Sequence, residues 1–365
     1  MSMTEPELAA VPDKLRRWLE WAIQIEGSDL HLIVGYPPVV RVHGTLTALP
    51  EPPLTAEEAE PLLLSVCPPE GLARFRDSRN VDFSFGVPFG SQIARFRASL
   101  FNAAQQLGGC IRLIPNAIPD FDWAGFPQPL AARLAGLRDG LVVVTGATGS
   151  GKTTTLAMIV QQLNESGGCR IITVEEPVEY LFPKSANSVV TQREVGLDVL
   201  TFSDGLKYGL RQDPDVILVG EIRDRETSQM AMSAAETGHL VFTTLHTRDA
   251  KGAITRLADF FPQESQMTVR GQLAMSLRAI VSQRLLPGLE KGAKRSLAVE
   301  VLWNTHPIAN AIRTNKMESI DNYLVTGRED GMISFDESVR QLLRAGKISR
   351  ATAEANVNDL TALRR

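Results

Sequence analysis

The sequence is short of cysteine, of net positive charge and of long apolar runs. Only three cysteines occur in 365 residues, Cys67, Cys110 and Cys169. They lie far apart and no two form a C-x-x-C pair, so the chain offers no thiolate zinc site and fits a reducing compartment. A buried, small apolar role suits each of them. The formal net charge is −4. Proteins that grip phosphate backbones usually carry a basic excess, so nucleic acid is not an expected partner. No stretch approaches the roughly 20 consecutive apolar residues of a membrane-spanning helix. The N-terminal MSMTEPELAAVPDK is acidic and polar, unlike a secretory signal. Neither an internal repeat nor a low-complexity stretch occurs. These absences lead to the expectation of a cytoplasmic protein that meets a membrane only through a partner.

What is present falls into two halves. DKLRRWLEWAIQIEG places Leu15, Trp18, Leu19, Ala22 and Ile23 at helical spacing. DLHLIVG, PPVVRVHGTL, VDFSFGV, SQIARFRASLF and GGCIRLIP read as strands. TAEEAEPLLLSV reads as a helix capped by Thr55, with Glu58 three residues on completing a capping box. Strands with helices beside them make residues 1–115 a small antiparallel α+β domain. PNAIPDFDWAGFPQP then holds four prolines in 15 residues. That excludes a regular helix or central strand and marks 116–129 as a linker. In residues 130–365, GLVVVTG, RIITVEE, DVILVGE and HLVFTTLH are short apolar runs between helical stretches. Such runs suit strands of a parallel sheet buried on both faces, as in a doubly wound α/β domain. PIANAIRTNK, FDESVRQLLRAG and SRATAEANV read as three short C-terminal helices.

The chemistry concentrates after the first of these runs. In GATGSGKT, Gly146, Ala147, Thr148, Gly149, Ser150 and Gly151 form a glycine-rich loop, and Lys152, Thr153 and Thr154 open a helix. The glycines let backbone N–H groups approach phosphate oxygens, and the helix N-terminus adds a favourable partial charge. Lys152 is placed for the β- and γ-phosphates, and Thr153 for Mg²⁺. Glu221 ends DVILVGE, at the sheet edge where α/β proteins bind ligands. It suits a role on the attacking water or on Mg²⁺ through one. Glu175, Glu176 and Glu179 follow RIITV closely; carboxylates so crowded repel unless a cation sits among them, which makes them Mg²⁺ or water partners, or else an exposed acidic loop. His239 and His246 stand seven apart, which is no helical metal pair. One of them lies beyond the strand, where it suits a hydrogen bond to a γ-phosphate or its loop; a structural role is the alternative. Arg95 and Arg97 share a strand face and Arg112 follows on the next strand, a basic face that either meets an anion or another subunit or is merely solvated.

Together these segments resemble the type II/IV secretion ATPase family, which powers type IV pili and type II secretion. The resemblance runs from SDLHLIVGYPPVVRVHG nearly to the end. GATGSGKT stands as the Walker A motif, IITVEEPVEY as the Asp box, LVGEIRD as the Walker B motif and ETGHLVFTTLHT as the His box, with TQREVG and LRQDPD as further matches. Within the family the chain is similar to the pilus retraction branch, PilT and PilU. Extension and secretion members usually carry a longer N-terminal region and a tetracysteine zinc insert, and neither is found in this sequence. The resemblance implies an α/β fold, a RecA-like P-loop core with a small PAS-like N-terminal α+β domain and a C-terminal helical tail. It implies a homohexamer that couples ATP hydrolysis, with Mg²⁺, to pilus retraction and twitching motility. The implied partners are an inner-membrane platform protein and, in some systems, a paralogous ATPase. Glu221 then becomes the catalytic glutamate, assisted by Lys152 and Glu176. Arg95, Arg97 and Arg112 reach a neighbour's nucleotide, and His239 and His246 sense its phosphate. Three positions depart from the branch: Glu176 stands for Asp, Thr243 stands for Gly, and PIANAIRTNK matches AIRNLIRE only in part. The rival readings are a pilus extension or type II secretion ATPase, a RecA-like DNA motor and a non-hydrolysing regulator.

Overall fold

The structure, a computed structural model, describes residues 11–42, 45–90, 92–114, 117–290 and 294–364. The N-terminal stretch through Ala10, the His43–Gly44 pair and the Pro115–Asn116 start of the proline-rich segment lie outside the described residues. The chain divides into two compact units, Met1–Ala117 and Ile118–Arg365. No helix among the described residues is long and apolar enough to cross a membrane.

The first unit opens with α1 (Asp13–Gln24), whose Leu15, Trp18, Leu19 and Ala22 are buried as their spacing requires. There follow β1 (Gly27–Leu32), β2 (Val39–Val42), β3 (Thr45–Ala48), α2 (Ala56–Leu64), α3 (Pro69–Ser78), β4 (Asn80–Phe89), β5 (Gln92–Ala103) and β6 (Gln106–Ile114). The sheet order is β3-β2-β1-β6-β5-β4, with every neighbouring pair antiparallel. Strand alternation separates two faces. Leu30, Phe83, Phe96, Ala98 and Ile111 join the core with Leu15 and Trp18 of α1 and Leu63 of α2. The opposite face carries the polar residues. Thr55 caps α2 through the expected reciprocal box with Glu58. PPVVRVHGTL is not one strand: its halves form β2 and β3, which pair with each other. Helix α3 has no counterpart in the sequence pattern, because Pro68 and Pro69 look like breakers. They occupy its N-cap and first position, where a missing N–H costs nothing.

The second unit begins inside the proline-rich segment. Helices α4 (Phe121–Ala124) and α5 (Gln128–Ala135) form there. Pro127 caps α5 and Pro129 sits in its first turn, while Phe126 is buried in this unit's core. The stretch expected as a linker over 116–129 is therefore folded from Ile118 onward, because its prolines fall at helix starts.

Next come β7 (Gly140–Gly146), α6 (Lys152–Ser166), β8 (Arg170–Glu175), β9 (Val189–Glu194), α7 (Phe202–Gly209), β10 (Val216–Val219), α8 (Arg225–Glu236), β11 (Leu240–Leu245), α9 (Ala250–Asp259), α10 (Gln266–Ser276), β12 (Leu277–Leu286) and β13 (Ser296–Trp303). The sheet order is β13-β12-β7-β11-β10-β8-β9. All pairs are parallel except β12 with β13. Every residue of β7, β10 and β11 is buried, which explains their unbroken apolar runs. Four C-terminal helices follow, α11 (His306–Arg313), α12 (Ser319–Thr326), α13 (Phe335–Arg344) and α14 (Arg350–Glu354); the sequence pattern marks three and omits α12. Helix α13 closes the sheet at β13. The Val299 N–H donates to Ser338 Oγ at 3.0 Å, and Phe335 is buried with the Arg284 guanidinium 4.0 Å from its ring centroid.

Burial holds all three thiols above their ordinary pKa, Cys67 at about 11. Only Cys67 is buried outright; Cys110 and Cys169 are partly exposed.

Thr243, in the middle of β11, is fully buried and its hydroxyl has no hydrogen-bond partner among the described residues. An orphan hydroxyl costs stability, whereas an apolar isostere does not. Thr243→Val should therefore raise Tm by about 2 °C in a thermal melt; a lower Tm would mean that the hydroxyl has a partner.

Candidate active site

Strand β7 delivers the glycine loop to the C-terminal edge of the parallel sheet, the edge at which such sheets bind ligands. Gly146 has φ +150°, and a Cβ there would lie 2.5 Å from the backbone oxygen of Gln283 and 2.5 Å from Ser150 Oγ. Gly151, at φ +90°, is the N-cap of α6, so the unpaired N–H groups of the helix's first turn face the loop. Lys152 is the first residue of α6 and is buried. Its Nζ donates to the carbonyls of Gly146 at 2.9 Å and Ala147 at 3.2 Å. Burial pulls the Lys152 pKa below its ordinary value, and the nearby Glu221 and Glu179 carboxylates partly restore it. Thr153 is partly exposed in the same turn. Thr154 shares a hydrogen bond of 3.0 Å with the Tyr180 hydroxyl. Gln283 Nε2 donates to Thr155 at 2.7 Å and so ties α6 to β12.

Glu221 stands just beyond β10 with 15% of its side chain exposed. His246 Nε2 lies 3.2 Å from its Oε2, and the Arg223 guanidinium pairs with its other oxygen. Arg223 also donates to Glu176 at 2.6 Å. Burial works against the Arg223 charge, but the two carboxylates outweigh it and hold its pKa above the usual value. His246 directly follows β11. The next residue, Thr247, donates its N–H to the Thr145 hydroxyl at 2.9 Å, and the two hydroxyls are 2.8 Å apart. Thr145 immediately precedes Gly146, so the His246 loop is fastened to the base of the phosphate loop. Arg223 has no role in the motif-based reading; its signal is a cation two residues after Glu221 in a stretch rich in carboxylates.

The three crowded glutamates are held by separate partners. Glu175 is buried at the end of β8, and its Oε1 accepts from the Thr173 hydroxyl at 2.6 Å and from Gln192 at 3.3 Å. Glu176 is exposed and held by Arg223, and Glu179 lies close enough to Lys152 to act on its charge. Hydrogen bonds and a guanidinium thus relieve the repulsion expected of them. Among the described residues no group of three or more His, Cys, Asp or Glu is arranged to hold a metal ion. The donor set instead fits an ion such as Mg²⁺ that takes one or two protein groups and completes its shell with substrate phosphates and water. Thr153, in the first turn of α6, and Glu221, beside Lys152, are two groups of this kind at the loop.

The histidine pair is also divided. His239 precedes β11 and its carbonyl accepts the Gly140 N–H at the start of β7. Its Nδ1 lies 3.0 Å from the Ala234 carbonyl and 3.2 Å from the Thr237 hydroxyl. Strand β11 has six residues, so the two histidines flank it, about 23 Å apart. Within its own chain His239 is not at the phosphate loop; the separation of seven spans the whole strand.

In the first unit, Arg97 on β5 stands directly across from Arg112 on β6, and Arg95 lies on the same face two residues away. Arg112 Nε donates to Asp29 at 2.7 Å, and Arg97 lies 3.8 Å from Asp82. Burial pushes the Asp29 carboxyl up, but the Ser28 hydroxyl and Arg112 outweigh it and hold it below its ordinary value. Arg41, opposite Asp29 across β2 and β1, extends this polar row.

A loop of this shape on a doubly wound sheet, with an acid clamped beside it, places the chain among the P-loop ATPases with RecA-like cores. More narrowly, the chain belongs to the type II/IV secretion system protein family, which matches residues 92–363. It is similar to the type IV pilus retractation ATPase PilT of Pseudomonas aeruginosa, 40% identical over 326 residues that cover 89% of this chain and 93% of that protein. A twitching motility protein of Neisseria gonorrhoeae is 38% identical over 354 residues, 93% of each chain. The crystal structure of the pilus retraction motor PilT with bound ADP matches with a TM-score of 0.83 and 40% identity, covering 96% of this chain and 98% of that one.

Gly146→Ala should strain the loop, since its Cβ would press on both Gln283 and Ser150. A cost of about 1–3 kcal/mol corresponds to roughly a 5- to 150-fold loss of nucleotide affinity, read by titration with a fluorescent ATP analogue. Unchanged affinity would show that the loop does not need this backbone geometry.

Proposed function

We propose that this protein is an ATP-driven motor that retracts a type IV pilus. The observation that carries the proposal is Glu221, held by His246 and Arg223 beside the Lys152 loop. Similarity over nearly the whole chain to a pilus retraction ATPase supports the pathway.

In this reading the loop N–H groups and Lys152 bind the ATP phosphates. Lys152 exchanges its two carbonyl partners for phosphate oxygens, and its stem stays buried. Mg²⁺ supplies charge neutralisation on the β- and γ-phosphates, with Thr153, and Glu221 through water, as the groups to hold it. Glu221 orients the attacking water and draws its proton, and its own orientation is set by His246 and Arg223. His246 is then the candidate to register the loss of the γ-phosphate, and its Thr247 neighbour passes the change to the loop. His239 takes no part in this. Arg95, Arg97 and Arg112 act on a nucleotide held by the next subunit of a homohexamer, where an arginine in trans stabilises developing charge. The ring works in the cytoplasm on a platform protein of the inner membrane, alone or beside a paralogous ATPase. The acidic composition gives no support to a DNA motor.

Lys152→Ala and Glu221→Gln should both abolish Mg²⁺-dependent phosphate release, by different routes. The first should weaken nucleotide binding. The second should leave binding intact while turnover falls by about 10²–10⁴-fold. Equal loss of ATP binding in both variants would remove Glu221 from the chemistry.

Cells without the gene should keep surface pili and lose twitching, as scored by electron microscopy and a subsurface motility assay. Bald cells would mean that the motor extends pili.

A further inference from the structure

Glu300 lies in the middle of β13 and is 6% exposed. Burying a carboxyl is expensive, and this one makes no ion pair among the described residues. Its Oε1 accepts the Ala250 N–H at 2.8 Å and faces the Ser282 hydroxyl at 3.3 Å. Ala250 is the first residue of α9. The carboxyl therefore takes one of the N–H groups that every helix start leaves unpaired, and it sits at the positive end of the helix dipole. Asp249 caps the same helix by accepting the Gly252 N–H at 2.6 Å.

What this helix start holds is the active-site loop. Only His246, Thr247, Arg248 and Asp249 separate β11 from α9. His246 meets Glu221, and Thr247 is bonded to Thr145 beneath the phosphate loop. A loop of four residues has little freedom once both ends are fixed. Strand β11 fixes one end, and the Glu300–Ala250 bond fixes the other. Burial raises the Glu300 pKa to about 7; the Ala250 N–H and Ser282 lower it, Asp249 raises it and Arg284 lowers it. These are the groups facing it from α9, its preceding loop and β12, and the low cost of protonation lets the carboxyl stay buried.

We infer that Glu300 is a positioning residue for ATP hydrolysis: by accepting the first N–H of α9 it sets the 246–249 loop, and so holds His246 on Glu221 and Thr247 under the phosphate loop. The inference rests on Glu221 as the residue that acts on water.

The test uses the full-length chain with Glu300→Ala, Glu300→Gln, Ala250→Pro and Glu221→Gln, measuring kcat, KM for ATP, nucleotide affinity and Tm. Glu300→Ala should lower kcat by about 10- to 100-fold, the range for removal of an outer-shell support, with KM and affinity within about threefold. Glu300→Gln keeps an acceptor oxygen and should recover most of kcat. Ala250→Pro removes the donor instead; proline is tolerated at a first helical position, so it should lower kcat like Glu300→Ala and serves if the latter does not fold. The inference is overturned if Glu300→Ala turns over normally, if glutamine is as poor as alanine, or if kcat, affinity and Tm fall together in both Glu300→Ala and Ala250→Pro. A Glu221→Gln variant that still hydrolyses ATP would refute the role of Glu221, whatever the Glu300 variants do.

Discussion

Thr145 and Thr247 bring their hydroxyls to 2.8 Å of each other at the edge of the parallel sheet, and the second unit is arranged around that contact. Thr145 ends the run of β7 that becomes the phosphate loop, and Thr247 belongs to the loop that carries His246. The two strands pair in register from Gly140–Leu240 to Thr145–Leu245, so their loops must leave the sheet side by side. A one-residue slip would carry His246 away from the phosphate loop. Gly146 is equally constrained, since the backbone of β12 leaves no room there for a side chain.

The charges follow from this geometry. Burial reduces the preference of Lys152 for the proton while Glu221 and Glu179 partly restore it, and charged phosphate oxygens are better partners for its ammonium than the two carbonyls it has. Glu221 is paired with a guanidinium and lies within hydrogen-bond reach of an imidazole, and Glu176 is held by the same guanidinium. The acid beside the loop is thereby oriented and not merely present, as an activator of water must be.

Much of this was legible in sequence where local pattern and burial agree. Strands β7, β10 and β11 are buried on both faces and read as apolar runs. The phosphate loop is defined by glycines that its dihedral angles require. Strands β9, β12 and β13 have no counterpart in the sequence pattern because polar residues interrupt them; in β12 and β13, Gln283, Glu300 and Arg284 meet α6, α9 and α13 in turn. Prolines misled twice, at α3 and at the expected linker, because composition alone does not distinguish a helix start from a break. The three glutamates read as one crowded cluster, whereas the spacing of seven already places one of the two histidines beyond the strand. Gln192 and Arg223, which hold Glu175 and Glu176, come from other segments, so only tertiary contact reveals that these two are held separately.

The central claim is that Glu221 and His246 act as one unit because two loops are clamped together. A double-mutant cycle on kcat tests it most directly, with Glu221→Gln, His246→Ala and the pair together. If the histidine works through the glutamate, the double variant should turn over at about the rate of Glu221→Gln alone. Losses that multiply would show two independent contributions and contradict the account.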